Sequence, residues 1–186
     1  IPCYTTYRLF ITHSHHSVHT LFGDQEHPLD LPPAYQDEEF GVYFGGVNPA
    51  VFSVSPTAAF DSWLSIGSAT GTGCGPMGIG IEWEGWNATA GIRSDDGFVT
   101  CWESGSNEND SGNNGSSTPY VGGENVLVGQ LTVRTDVNAS VTMSMQGHTQ
   151  DRSSSLEIGD RTPDWRARGV TFLLSNRDQS GCALQQ

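Results

Sequence analysis

The sequence predicts an all-β protein, a single antiparallel β-sandwich of jelly-roll-like type that spans residues 1–186. Helical periodicity is almost absent, and short runs that alternate apolar and polar residues dominate instead. Gly, Pro, Asn and Asp separate these runs at the spacing expected of turns between short strands. A chain of 186 residues is long enough to bury a sizeable core as one domain.

The strands are predicted from alternation along the chain. In residues 6–12, Tyr7, Leu9 and Ile11 form one apolar face. In residues 139–147, Val141, Met143 and Met145 do the same, and the serines and threonine between them are expected to face outward. The other predicted strands cover residues 17–23, 60–67, 78–86, 96–104, 126–135 and 169–175.

Helix is expected only as two short turns. In "NPAVF", Asn48 is suited to cap a turn that begins at Pro49, and "TPDWRA" repeats this pattern with Thr162 and Pro163. Residues 1–12 are interpreted as an extended arm. Residues 104–124 form a low-complexity Gly/Asn/Ser loop that cannot order itself by burial, so glycans, an ion or a neighbouring subunit would have to hold it.

A cluster of histidines lies between the first two predicted strands, which suggests a polar hairpin. Three imidazoles on one face could alternatively bind zinc or copper, although no HExxH motif and no nearby cysteine completes a site. The weak metal candidates are His13, His15, His16 and His19.

The net charge of the chain restricts the classes of partner that it can bind. The formal net charge is −13, and all eight basic residues are arginine. Such an acidic chain argues against nucleic acid and anionic membranes as partners, because phosphate binding needs clustered cations. No apolar run reaches the roughly 18 residues needed to span a bilayer. The start at Ile1 suggests a mature form from which a targeting segment has been removed.

Four cysteines indicate disulfides in an oxidising compartment, because their number is even and none forms a CxxC pair. Three pairings are possible, and free thiols are the alternative. Cys74 and Cys101 flank a predicted strand region, and their pairing would leave Cys3 and Cys182 to join the termini, within one chain or between subunits.

Four sequons, a mild excess over chance, also indicate secretion. They begin at Asn87, Asn109, Asn114 and Asn138. Together with the cysteines they predict an extracellular or cell-surface glycoprotein.

Carboxylates beside tryptophans suggest a sugar-binding cleft as a weak alternative to a solvated strand face. This hypothesis requires an exposed indole next to a carboxylate. Its residues are Glu82, Glu84, Trp83, Trp86 and Trp102.

No reaction is predicted. No G-x-S-x-G elbow is present, and "GTGCGPMGIG" lacks the lysine of a phosphate loop, so we expect a protein that is not an enzyme. No cofactor is expected. Acidic loop residues leave a structural calcium open, but no EF-hand spacing supports one.

Four segments resemble a group of secreted bacterial and algal proteins with the pattern TTYR, FGD-x-x-x-PL, NPA-x-F, [FY]DSW-x-[ST]-IG and VL-x-[AG]-QLT. They are residues 4–10, 18–31, 43–67 and 126–133. These proteins are often domains of large extracellular chains, and residues 104–124 stand as an insertion in their pattern. The resemblance implies an extracellular β-rich fold with no assigned reaction, and it supplies no catalytic residues.

The leading hypothesis is therefore a structural subunit of a self-assembling surface filament or fibril, in which copies of the chain are the partners. Sheet edges allow strand addition, and a head-to-tail contact that does not close builds a helical filament. A carbohydrate-binding or adhesive module is the alternative, and a metal-binding secreted enzyme is the third.

Overall fold

The structure, a computed structural model, describes residues 1–12, 18–67, 69–70, 75–102, 125–147 and 165–175, without the side chains of 75–77 and 101–102. Within these ranges the protein is an all-β sandwich of two sheets, as predicted, and the jelly-roll connectivity stays a prediction. The strands are β1 (Tyr4–Thr12), β2 (Thr20–Phe22), β3 (Leu29–Leu31), β4 (Trp63–Leu64), β5 (Gly75–Ile79), β6 (Ile92–Ser94), β7 (Phe98–Trp102), β8 (Asn125–Arg134), β9 (Ala139–Gly147) and β10 (Trp165–Leu174).

The smaller sheet has three strands in the order β1-β8-β4. β1 pairs antiparallel with β8 from Tyr4↔Arg134 to Thr12↔Asn125, with one bulge between Leu9 and Phe10. The predicted N-terminal arm is therefore the outer strand of the chain's own sheet. β8 is the central strand, and every residue from Val126 to Val133 is buried.

The larger sheet has seven strands, six of them in the order β5-β7-β2-β9-β3-β6. β9 holds this sheet together, because β2 and β3 pair along one of its sides and β10 pairs along the other. The predicted inward face of β9 is confirmed, since Val141, Met143 and Met145 are buried. Ser144 was expected to face outward but is fully buried, and its hydroxyl accepts a hydrogen bond from Gly169 N–H of β10.

The core lies between the two sheets and is built from the inward faces of both. The alternation of β1 is confirmed, because Leu9 is buried while Arg8 and Phe10 are exposed. The buried apolar residues include Leu9, Val126, Val128, Leu131 and Val133 of the smaller sheet, and Leu21, Leu29, Leu31, Ile92, Val99, Val141, Met143 and Met145 of the larger one.

Helical structure in the described ranges consists of three 3₁₀ turns, Pro49–Ser53, Pro56–Phe60 and Trp83–Gly85, so no described helix is long enough to cross a bilayer. The predicted Asn48 cap is confirmed, because its side chain accepts from Ala50 N–H at 3.0 Å. The turn predicted at "TPDWRA" is wrong over its described part, since β10 begins at Trp165. The strand predicted over 78–86 is also wrong beyond Ile79, because the chain turns at Trp83–Gly85.

Candidate functional site

The two strands that flank the histidine cluster do not form a hairpin with each other. β1 pairs with β8 in the smaller sheet, whereas β2 pairs with β7 and β9 in the larger one. The predicted hairpin is therefore wrong. Three of the four metal candidates, His13, His15 and His16, lie outside the described residues. His19 is half-buried, and its Nδ1 lies 2.8 Å from Thr20 Oγ1.

The tryptophans predicted to stack on sugars are mostly core residues. Trp83 and Trp86 are only 8% and 1% exposed. Tyr43 stacks on Trp83 with ring centroids 5.8 Å apart, and the Trp86 Nε1–H donates to Pro32 O at 2.8 Å. The prediction that these two indoles offer a binding face is wrong. The Trp102 side chain lies outside the described part.

The two glutamates of that hypothesis are both exposed, on and beside the turn Trp83–Gly85 rather than on a strand face. Glu82 contributes to an open groove of about 530 Å³ together with Asp95, Asp96 and Arg93, whereas Glu84 is not among its lining residues. Arg93 also contacts Asp30 at 3.1 Å on the surface. The groove is acidic and open to solvent, and such a surface favours small cations over anions.

Metal ligands are not clustered in the part of the chain that the structure describes, where no three His, Cys, Asp or Glu residues are arranged to hold an ion. The acidic loop at Asp24, one of those that left a structural calcium open, uses its carboxylate to organise its own backbone. The Asp24 carboxylate accepts from the Glu26 and His27 amides at 3.1 and 2.8 Å, and these hydrogen bonds, with Arg168 nearby, lower the pKa of Asp24.

The best-organised polar group in the described residues is an acid clamp, by which we mean Tyr35, Asp37, Thr57 and Asp61. The Asp61 carboxylate is 0% exposed and accepts from Asp37 N–H at 2.8 Å and Val42 N–H at 2.7 Å. Asp37 in turn accepts from the hydroxyls of Tyr35 at 3.2 Å and Thr57 at 2.8 Å. The clamp thereby fixes residues 37–42 against residues 57–61.

The clamp carries perturbed acidities. Burial, together with the charge of the neighbouring Asp37, raises the pKa of Asp61 to about 6, although the amide hydrogen bonds that the carboxylate accepts oppose the shift. Burial acts to raise the pKa of Asp37. Hydrogen bonds from Phe40 N–H and the Thr57 hydroxyl outweigh burial, so the pKa of Asp37 is lowered. Two acidic groups with separated pKa values resemble a catalytic pair. Here their oxygens are already occupied by backbone and hydroxyl donors of the fold, which indicates a structural role.

The clamp joins three of the segments on which the family resemblance rests. Gln130 Nε2 donates to Asp61 O at 2.9 Å, and Thr132 N–H donates to Ser62 Oγ at 3.0 Å. From β1, Thr6 Oγ1 lies 2.7 Å from Thr132 Oγ1, and Arg8 Nε donates to Gln130 Oε1 at 3.2 Å. TTYR, DSW and QLT therefore form one hydrogen-bonded unit across β1, β8 and β4. These residues stabilise the smaller sheet, and sequence reasoning did not recognise their buried polar role.

Two of the predicted sequons, at Asn87 and Asn138, lie in the described part of the chain, and both asparagines are exposed. Asn87 occupies the loop before β6, and Asn138 occupies the turn between β8 and β9. Asn109 and Asn114 fall outside the described residues.

Of the four cysteines predicted to form disulfides, Cys3 is described with its side chain. Cys3 is not a free thiol, whereas Cys74, Cys182 and the Cys101 side chain lie outside the described part. The register places Pro76 opposite Cys101, so the strand that follows Cys74 runs beside Cys101. Cys3 O accepts from Thr135 N–H at 2.9 Å, and Thr135 precedes by four residues Ala139, the partner of Leu174 at the end of β10. Both arrangements suit the predicted pairings, which stay predictions.

The edge of the larger sheet at β10 is the second notable surface. β10 pairs with β9 on one side, and no described strand lies on its other side. Its first half carries two charged residues, Arg166 and Arg168, and a bulge at Gly169. Gly169 packs against His27. Its second half, Val170–Leu174, carries no charge, and Leu173 is 78% exposed.

An edge of this kind can bind another strand. Unpaired N–H and C=O groups along an edge form a template for strand addition, and proteins usually protect such edges with charges or bulges. In β10 that protection covers the first half, whereas the second half carries neither a charge nor a bulge and has no described strand on its outer side. β1 is the corresponding outer strand of the smaller sheet, but Arg8 and a bulge interrupt it.

No family model, no curated protein and no solved structure matches this chain. The resemblance to secreted β-rich proteins therefore stays a prediction that rests on its motifs.

Proposed function

We propose that the protein is an extracellular structural glycoprotein, a subunit of a filament or fibril that assembles from copies of itself. The observation that carries this proposal is the uncharged outer edge of β10 over Val170–Leu174. The exposed sequons and the absence of a free thiol at Cys3 support the extracellular part of the proposal.

A second copy is the natural occupant of this edge. The hydrogen-bonding pattern of a strand edge is complementary to itself when two copies meet antiparallel about a two-fold axis. In a pair centred on Phe172, Val170 would face Leu174 of the second copy, and Thr171 would face Leu173. These side chains are uncharged, so they add no repulsion of their own to that caused by the net charge of −13 on each copy.

A filament needs a second contact, because one two-fold contact gives only a dimer. The outer strand of the smaller sheet, β1, offers that contact, since no described strand covers its outer side either. Phe10 on β1 is 47% exposed and would be covered by such a contact. Two different two-fold contacts, one on each sheet, would join copies into an open chain.

Replacing Leu173→Lys should weaken assembly. Lysine on an edge strand opposes strand addition, and the substitution occurs twice in a two-fold pair, so we expect about a tenfold or larger increase in the concentration needed for assembly. Sedimentation velocity and electron microscopy would measure this.

Val54→Lys is the matched control, because Val54 is 72% exposed but lies outside the sheets, after the turn Pro49–Ser53. Equal assembly of the two variants would contradict the role of the β10 edge.

A further inference from the structure

The loop around Asn87 has a built geometry that a sequon alone does not imply. Asn87 Oδ1 accepts three hydrogen bonds, from Thr89 N–H at 2.9 Å, from the Thr89 hydroxyl at 2.7 Å and from Ala90 N–H at 3.1 Å. This arrangement is an Asx turn in which the threonine of the sequon is bonded to its own asparagine. The two residues that define the sequon are thus held together by the fold.

The turn is also anchored to the rest of the protein. Asn87 N–H donates to Ala90 O, and Ala34 N–H donates to Asn87 O, both at 3.0 Å. The neighbouring residue Trp86 is buried and donates to Pro32 O. The backbone on both sides of the Asn87 side chain is therefore fixed while the side chain itself is exposed.

The Asn87 side chain is exposed, and its amide nitrogen takes no part in the three hydrogen bonds to Oδ1. Nδ2 carries two hydrogens and donates one hydrogen bond, to Gly85 O at 3.2 Å. One of these hydrogens is replaced by the sugar, and the three hydrogen bonds to Oδ1 do not involve Nδ2. A glycan at this position therefore leaves in place the three hydrogen bonds that shape the Asx turn.

We infer that Asn87 carries an N-linked oligosaccharide, and that the Asx turn with Thr89 is the folded form of its acceptor site. The inference rests on the proposed extracellular glycoprotein and names one place where its glycan is attached. In the transfer, a bond forms between Nδ2 and the anomeric carbon of the sugar, and the bond from that carbon to a lipid diphosphate donor breaks. Nδ2 loses one proton to a base of the transferase, the lipid diphosphate leaves with the bonding electrons, and nothing is oxidised or reduced.

The position of Asn87 is compatible with the proposed assembly. Asn87 lies just before β6, which ends the order β9-β3-β6, whereas β10 lies on the other side of β9. Three strand spacings, about 14 Å, therefore separate β6 from β10. A glycan on Asn87 would shield the β6 edge and leave the β10 edge open. A glycan on Asn138 would stand close to the end of β10, because the next residue, Ala139, pairs with Leu174.

The test is glycopeptide mass spectrometry of the full chain secreted by a eukaryotic host, with a glycosidase that converts each occupied asparagine to aspartate. We expect the Asn87 peptide to be converted in most molecules of the wild type. Thr89→Ala should remove that conversion, and Thr89→Ser should keep it at least in part, because serine retains the hydroxyl. Asn138→Gln is the control and should leave Asn87 occupancy unchanged.

An unconverted Asn87 peptide in the secreted wild type would overturn the inference, and this result does not depend on whether any variant folds. Assembly is measured separately on the same samples by sedimentation. An unoccupied Asn87 in protein that assembles would refute the glycan site alone. An occupied Asn87 in protein that stays monomeric would refute the filament and keep the site.

Discussion

Asp61→Ala is expected to lower the free energy of unfolding by about 2–5 kcal/mol at about pH 5. Truncation leaves the Asp37 and Val42 amides without their acceptor, and each such group costs about 1–3 kcal/mol when it is buried. At this pH the carboxyl group is mostly protonated, because burial raises its pKa to about 6. The loss therefore reports hydrogen bonding and packing rather than relief of a buried charge. Urea unfolding, followed by tryptophan fluorescence, would measure it.

Asp30→Ala provides the control for this prediction. Asp30 contacts Arg93 at 3.1 Å, but both side chains are at least half exposed, so the pair contributes little. The control should change stability by less than about 1 kcal/mol. If the two variants were equally stable, the acid clamp would not organise residues 37–42 as described.

Stability should also fall as the pH rises through about 6. Because the pKa of Asp61 is about 6 in the folded protein and 3.8 in its ordinary, unfolded state, the folded protein binds this proton more tightly than the unfolded chain. Its stabilisation is complete below about pH 4 and is lost as the pH rises through the folded pKa. The expected loss from this group is about 2 kcal/mol between about pH 4.5 and 7.5.

The other shifted groups around the clamp act in different pH ranges. The pKa of Asp37 is lowered below 3.8, so its contribution is lost only in stronger acid, and the pKa of Tyr35 is raised above 10 by burial. Asp61→Asn keeps the shape of the side chain and removes its titration. Comparing the two proteins over this pH range isolates Asp61, and parallel pH profiles would refute the buried titration.

The sequence predicts the elements whose pattern is local. β9 was predicted with its observed bounds because apolar and polar residues alternate strictly from Ala139 to Gly147. The turn at Pro49 was predicted because its capping signal lies within three residues. β3 and β6 were missed because turn-forming residues, such as Pro28 and Pro32 around β3, flank these three-residue strands, whereas the equally short β2 lies within the strand predicted over 17–23.

Two wrong predictions, the strand over 78–86 and the histidine hairpin, arise because alternation is a local signal. The run Glu82-Trp83-Glu84 alternates like a strand. In the fold Trp83 packs against Tyr43 and Trp86, and the backbone forms a turn at Trp83–Gly85 instead. The histidine segment was assigned to a hairpin because two strands flank it closely. Which sheet a strand joins depends on contacts with β8 or β9, more than 100 residues away, and local alternation carries no information about these contacts.

The functional features also divide into those that the sequence shows and those that only the fold shows. A sequon is visible in sequence, but the three donors on Asn87 Oδ1 are visible only in the fold. Asp61 and Ser62 look like surface residues, whereas both are 0% exposed because backbone amides far away in the chain use them as acceptors. The uncharged half of β10 could be predicted as a strand but not as an edge, because local alternation does not show how many neighbours a strand has.

The most direct test of the proposed assembly is hydrogen–deuterium exchange of the secreted protein, read peptide by peptide at increasing protein concentration, with the mass measured in parallel. The account predicts that amides of Val170–Leu174 become more protected as particles larger than the 20.0 kDa chain and its glycans form, while residues 87–91 exchange at a constant rate. Unchanged exchange in β10, with monomeric mass at every concentration, would contradict it.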